Sequence, residues 1–68
     1  MNLNKVAKIA SSIKRNEDWN GYEIHFMQDS RKFAIYQWGE LIVRALIDSI
    51  EDAKFLVAYL HEIDRRQG

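Results

Sequence analysis

The sequence predicts a small α+β domain in which a three-stranded antiparallel meander is packed on one face by two helices. Three short apolar runs, separated by two turn segments, predict three consecutive strands. A helical pattern of apolar residues precedes these strands, and a second one follows them. The predicted order is therefore α-β-β-β-α in a single domain over residues 1–68, because a chain of this length seldom forms more than one domain.

The first helix is predicted over residues 3–14. Its apolar side chains fall within an arc of about 160° at ~100° per residue, which is typical of an amphipathic helix. They are Leu3, Val6, Ala7, Ile9, Ala10 and Ile13. We expect Asn2 or Asn4 to cap the start of the helix. The opposite face carries one polar stripe, formed by Lys5, Lys8, Ser12 and Arg15.

The first two strands are predicted over residues 22–27 and 32–38. A turn centred on Asp29 and Ser30 sets the register of this hairpin, with a longer loop as the alternative. This register pairs Ile24 with Ile35 and Phe26 with Phe33. The predicted buried face carries Tyr22, Ile24, Phe26, Phe33 and Ile35. The predicted second face carries Glu23, His25, Met27, Lys32, Ala34, Tyr36 and Trp38.

The third strand is predicted over residues 41–47, where only Arg44 interrupts the apolar residues. A three-residue turn at residues 38–40 would place Val43 and Ala45 in the core. The residues then left on the second face would be Ile42, Arg44 and Leu46. A tighter turn would reverse the two sets. Either turn leaves large apolar side chains on the second face.

The last helix is predicted over residues 49–64, and Ser49 with Asp52 forms an approximate capping box at its start. Its buried stripe is predicted to consist of Ile50, Ala53, Leu56, Val57, Leu60 and Ile63. Phe55 and Tyr59 widen the apolar arc to about 220°, which is more than one sheet face usually covers. We therefore expect part of this helix to meet the first helix or a partner.

The segment Ser49-Ile50-Glu51-Asp52-Ala53-Lys54 is similar to the S-x-x-x-A-K start of the last helix in double-stranded-RNA-binding domains. The order of helix, three strands and helix also resembles the topology of that family over the whole chain. The family has lysines aimed at phosphates in this turn, whereas Glu51 and Asp52 occupy it here. The resemblance therefore implies a topology and supplies no RNA-binding residues.

The charge balance, the absence of cysteine and the absence of long apolar runs exclude several classes of protein and site. Ten basic and ten acidic side chains give a formal net charge of zero, whereas domains held mainly by phosphate contacts are commonly basic. The chain has no cysteine, which excludes disulfides and thiolate zinc sites and favours a reducing compartment. It also lacks both the ~20-residue apolar run of a membrane helix and a signal-peptide pattern. We expect a soluble, cytoplasmic protein with no membrane partner.

Catalytic chemistry finds little support in the sequence. The chain has no glycine-rich phosphate loop and no nucleophile elbow. His25 lies two residues from Glu23, and His61 lies near Glu62 and Asp64, but these spacings predict ordinary surface histidines. The expectation is a protein that is not an enzyme, with no catalytic residues, cofactor, metal or small-molecule substrate.

Two surfaces remain as candidate binding sites. The exposed apolar residues Tyr36, Trp38 and Ile42, together with the loop residue Trp19, are typical anchors of a protein interface. For Trp19 the alternative is a ring tucked against the core. The basic stripe Lys5, Lys8, Ser12 and Arg15 has a spacing that could follow a phosphate backbone. A solvated helix face is the simpler interpretation of that stripe.

The sequence thus predicts a small non-enzymatic module that binds a protein partner. In size and composition the chain resembles accessory proteins of phages, plasmids and prophages, which include anti-CRISPR and anti-restriction inhibitors of host defence and small regulators. One alternative is a nucleic-acid-binding protein that uses the basic face of the first helix. The other is a structural homodimer, joined through the open sheet face or the last helix.

Overall fold

The computed structural model describes residues 2–67, and its elements follow the predicted order α-β-β-β-α. The helices are α1 (Leu3–Ala10) and α2 (Ile50–Gln67), and the strands are β1 (Tyr22–Met27), β2 (Lys32–Gln37) and β3 (Glu40–Ile47). The strands form one antiparallel sheet in the order β1-β2-β3. The predicted fold class is confirmed.

The helices lie on one side of the sheet and run antiparallel to each other. α2 contacts all three strands, whereas α1 packs mainly against α2. Lys5 of α1 lies near Glu62 at the end of α2, while Ala10 and Lys54 line one groove at the opposite ends of these helices. One core joins both helices to the sheet, and its buried members are Val6, Ala10, Ile13, Tyr22, Ile24, Phe33, Ile35, Ala53, Val57 and Ala58.

α1 ends at Ala10, four residues before the predicted end of the first helix. The hydroxyls of Ser11 and Ser12 each donate to a carbonyl three residues back, at 2.7 Å. The amides of Ser12 and Ile13 also bond three residues back, which tightens the last turn and stops the α-helical pattern. Ile13 is still buried, because this turn keeps its side chain against the core. At the other end, the Asn2 side chain caps the helix.

The register of β1 with β2 is the predicted one, since Ile24 pairs with Ile35 and Phe26 with Phe33. The connecting loop spans residues 28–31, which is the longer alternative. One predicted core residue is wrong: Phe26 is 37 % exposed. It lies one residue from the end of β1, where its ring packs against that of Phe33 at a centroid distance of 5.1 Å and the loop leaves the other side open.

A two-residue turn joins β2 to β3. Gln37 pairs with Glu40, and φ is +51° at Trp38 and +84° at Gly39. Two consecutive left-handed residues between paired strands are the mark of a type I′ turn, whose twist matches that of the flanking strands. The tighter of the two predicted turns is therefore the one observed.

A β-bulge in β3 then changes which of its side chains face the core. Tyr36 pairs with Leu41, and Ile35 pairs with Val43, so Ile42 is an extra residue in β3. Because of this insertion, Val43 returns to the core side, and Ile47 lies there as well. The exposed residues of β3 are Glu40, Leu41, Ile42, Arg44 and Leu46. The tight turn thus occurs without the reversal of faces that the sequence predicts for it.

Candidate protein-binding surface

The sheet face turned away from the helices carries large exposed apolar side chains. Trp38 and Leu46 are each 74 % exposed, Leu41 is 52 % and Ile42 is 41 % exposed. Tyr36, on the central strand, is half-buried. We call these five residues the second-face patch. Trp38 and Leu41 lie beside the β2–β3 turn, and Leu46 lies near the other end of β3.

The indole of Trp38 lies directly over the backbone of Gly21. The Trp38 amide donates to the Gly21 carbonyl at 2.8 Å. A Cβ atom built on Gly21 would come within 2.5 Å of both Cε2 and Cζ2 of the indole, so only glycine leaves room for the ring. Gly21 also has a φ of +87°, a conformation that other residues adopt at a cost. One face of the indole is therefore held against backbone, while the other is open to solvent.

The backbone of Trp38 is in an unusual conformation for a bulky residue. Its φ of +51° lies in the left-handed region, where the first position of a type I′ turn strongly favours Asn, Asp or Gly. A left-handed non-glycine residue costs on the order of 1 kcal/mol. The Trp38 side chain stays mostly exposed, so burial of its ring in the core does not offset this backbone cost. Backbone strain without a compensating core contact is a feature associated with function.

Polar groups border the patch along β1. The Nε2 atom of His25 lies 3.0 Å from Oε1 of Glu23, and the His25 ring meets the Tyr36 ring edge-on at a centroid distance of 4.8 Å. Ala34, directly opposite His25, is buried, although the sequence places it on the open face. A small side chain between larger neighbours is shielded by them. Tyr36 is thus held in place from the β1 side.

A positive group borders the patch along β3. Arg44 is exposed, and within residues 2–67 no carboxylate lies within salt-bridge distance of its guanidinium. The register with β2 is irregular between Val43 and Ile47, but both of these residues pack against the core. Arg44 and Leu46, which alternate with them, are exposed, and this places Arg44 on the open face. The two edges of the second face therefore carry opposite charges, Glu23 on β1 and Arg44 on β3.

Trp19 lies apart from the patch. It is half-buried and packs against the core, with its ring 4.8 Å from that of His61 on α2 and 6.5 Å from that of Tyr22. Since α2 covers the opposite sheet face, Trp19 lies on the helical side of the molecule. The structure brings Tyr36, Trp38 and Ile42 to the open sheet and its turn, and it does not bring Trp19 to them.

The predicted basic stripe does not form one helical face. Ser12 and Arg15 lie beyond the end of α1, so the prediction of a single stripe is wrong. Lys5 lies 3.9 Å from Glu62, which is only 5 % exposed and also contacts Arg65 at 3.3 Å. Lys5 therefore neutralises a buried carboxylate, and it is less available to a phosphate than the sequence implies.

A polar contact ties α2 to the sheet edge. The hydroxyl of Tyr22 donates to Oδ2 of Asp64 at 2.9 Å. Burial, and then the nearby Asp64 carboxylate, raises the pKa of Tyr22 to about 12, because both disfavour the charged phenolate. The phenol remains a hydrogen-bond donor throughout the neutral range. Its role here is structural.

A shallow groove of about 280 Å³ separates the helices near the start of α2. It is lined by Ala7, Ala10, Ser11, Glu51, Lys54 and Phe55. Phe55 thus borders α1, as expected of the wide apolar arc of α2, while Tyr59 stays exposed on the outer side. The groove is open and mostly apolar, and nothing in it converges on a ligand.

Residues 2–67 contain no cluster of three or more metal-binding side chains. Over the same residues, neither helix combines the length and apolar character needed to span a membrane. No family model, curated protein or solved structure matches this chain. The geometry of the second face is therefore the ground for a functional proposal.

The sequence did not predict that the Trp38 indole packs against the backbone of Gly21. From sequence, Asn20-Gly21 predicts only a loop before the first strand. The confirmed register does contain a hint, because Tyr22 pairs with Gln37 and the next pair along would join Gly21 to Trp38. A glycine opposite a tryptophan on an open sheet face is the pattern that could have identified this contact.

Proposed function

We propose that this protein is a binding module without catalytic activity, and that it acts by engaging a partner protein through the second-face patch. The observation that carries the proposal is the placement of Trp38. Its indole is fixed on one side by Gly21, is 74 % exposed and occupies a turn position that favours small polar residues. A rigid exposed tryptophan loses little conformational entropy on binding, which is what an interface anchor requires.

The surroundings of Trp38 support the proposal. The four most exposed residues of the patch together expose roughly 500 Å², a total comparable with the ~300–600 Å² of the largest and often functional apolar patch on a monomer. Glu23 and Arg44 border it on either side, so an apolar centre has a polar rim. In this reading the protein works by occupying a surface of its partner. That mode suits an accessory inhibitor or regulator acting in the cytoplasm, because it needs no chemistry.

The proposal is tested by capture from a lysate of cells that carry the natural gene. The immobilised protein is compared with Trp38→Asn, which keeps a favourable turn residue, and with Tyr36→Ala. Tyr59→Ser, which removes an exposed ring from α2, is the matched control. We expect Trp38→Asn to reduce capture at least about 30-fold, as for a hot-spot residue, and Tyr59→Ser to leave it unchanged. Equal capture by the wild type, Trp38→Asn and Tyr36→Ala would refute the proposal.

A further inference from the structure

We infer that a second copy of this chain occupies the second-face patch, in a two-fold dimer whose open sheets pack face to face. The inference rests on the proposed function, that this face binds protein, and it gives a second copy as the occupant of the face when no other protein is bound there. Two observations lead to it: the distribution of charge across the second face and the amount of apolar surface exposed there.

The charges on the second face are self-complementary. Glu23 lies on β1 and Arg44 on β3, the two edges of the sheet, with β2 between them. A two-fold axis that lies between the sheets and runs along β2 places β1 of one copy over β3 of the other. Glu23 is level with Tyr36, whereas Arg44 lies in the part of β3 opposite Ala34, about two residues further along the strands. The long side chains of Glu23 and of Arg44 in the second copy can span this offset, and the symmetry produces the pair twice. The half-buried Tyr36, on the central strand, lies close to the axis.

The alternative two-fold arrangement is disfavoured by the same charges. An axis that runs across the strands would lay β1 over β1 and β3 over β3. The edge that carries Glu23 would then face the same edge of the second copy, and the edge that carries Arg44 would do likewise. Like charges that face each other are repulsive. The distribution of charge therefore selects the first arrangement. Both arrangements stack two sheets with nearly aligned strands, as β-sandwiches commonly do, so the charges alone distinguish them.

The exposed apolar area fits a weak dimer. The patch exposes roughly 500 Å² per copy, and a standard interface buries about 800 Å² per partner. Polar groups at the rim can provide the remainder. An interface at this lower end is expected to have a dissociation constant on the order of micromolar. Such a dimer would dissociate readily when a competing protein binds the same face.

The test measures self-association by sedimentation equilibrium from about 1 µM to about 1 mM, a range that brackets such an affinity. Arg44→Glu and Glu23→Lys each replace two attractive pairs by two repulsive ones, so each variant should dimerise at least about tenfold more weakly. An equimolar mixture of the two variants restores both attractive pairs in a heterodimer. We expect the mixture to associate within about threefold of the wild type.

Lys8→Glu is the matched control, because it reverses an exposed charge on α1, away from the sheet, and should leave the dimer unchanged. Circular dichroism of each variant verifies its fold. A wild type that stays monomeric over the whole range overturns the inference, whereas the proposed function is judged separately by lysate capture. A dimer that resists both charge reversals, or a mixture that does not regain association, also overturns it.

Discussion

The indole of Trp38 rests on the backbone of Gly21, and the amide of Trp38 donates to the Gly21 carbonyl at 2.8 Å. This contact joins two turns that are distant in sequence. Gly21 lies just before β1 and Trp38 just after β2, and both have left-handed backbone conformations. The backbone of Gly21, which carries no side chain, leaves room for the Trp38 ring to pack against it. A side chain that would otherwise sample many rotamers on an open sheet is thereby held in one place.

Gly21→Ala should destabilise the fold mainly by displacing the indole. The added Cβ would lie 2.5 Å from ring atoms, and alanine is strained at positive φ. We expect a loss of about 2–4 kcal/mol in the free energy of unfolding. In a Trp38→Asn background only the backbone strain remains, about 1 kcal/mol. Urea unfolding of the four proteins measures the coupling, and equal losses in both backgrounds would show that the ring does not rest there.

Trp38→Asn should leave stability nearly intact. The substitution gives the type I′ turn its preferred Asn-Gly sequence and removes a ring that is 74 % exposed. The gain in the turn and the lost contact with Gly21 are of similar size, so we expect the free energy of unfolding to stay within about 0.5 kcal/mol of wild type or to rise. Thermal and urea unfolding provide the measurement. A loss above about 1 kcal/mol would make Trp38 a structural residue.

Lys5→Glu should destabilise the protein, and Lys8→Glu should not. Glu62 is buried and lies 3.9 Å from Lys5, so a carboxylate at position 5 would repel it. The side chain of Lys5 is half-exposed, so water screens part of this repulsion, and Arg65 still contacts Glu62. We expect a loss of about 1 kcal/mol for Lys5→Glu. Lys8 is exposed, and its reversal should change stability by less than about 0.5 kcal/mol. Urea unfolding at low and high salt compares the free energies of unfolding of the two variants. Equal losses in Lys5→Glu and Lys8→Glu would show that Lys5 has no structural role.

Tyr22 should contribute stability that disappears at alkaline pH. Its pKa is raised from 10.0 to about 12 in the folded state, so its contribution is complete below pH 10 and is lost as the pH rises through 12. Tyr22→Phe should lower stability by about 1 kcal/mol at neutral pH, because the hydrogen bond from Tyr22 to Asp64 is lost. The difference between wild type and variant should shrink above pH 10. Urea unfolding from pH 7 to 11.5 follows this difference, which would stay constant if the phenol were not perturbed.

Local sequence signals were sufficient for the first hairpin and for the start of α2. The alternation around Ile24 and Ile35 allows one register that places the apolar side chains on one face, and that register is observed, although Phe26 at the end of β1 is exposed. Ser49 accepts from the Asp52 amide at 3.1 Å, as its position before an acidic first turn predicts. Each of these features depends on residues that are neighbours in sequence or across one short hairpin loop.

The faces of β3 could not be obtained in this way. An almost unbroken apolar strand carries no alternation to fix its register, and a bulge changes the parity partway along the strand. Ile42 is the extra residue, but nothing in its side chain distinguishes it from Leu41 or Val43. The choice depends on which side chains fit against the core, and that is a tertiary property.

The end of α1 and the candidate site depended on contacts distant in sequence. Ser11 and Ser12 can continue a helix or close it, and here their hydroxyls bond to the preceding turn and close it. From sequence, Lys5 belongs to a solvated stripe, whereas in the fold it lies beside Glu62. Trp38 is identifiable from sequence as an exposed ring, whereas its packing on the backbone of Gly21 depends on a contact between two turns that are distant in sequence.

The central claim is that the face bearing Trp38 is covered by another protein molecule when the protein functions. Site-specific incorporation of a benzophenone amino acid tests this contact in cells that carry the natural gene, with position 38 compared with the exposed position 59 on α2. We predict a discrete cross-linked product at position 38, whose mass distinguishes a second copy from another protein, and no such product at position 59. Cross-linking at position 59 with none at position 38 would contradict the account.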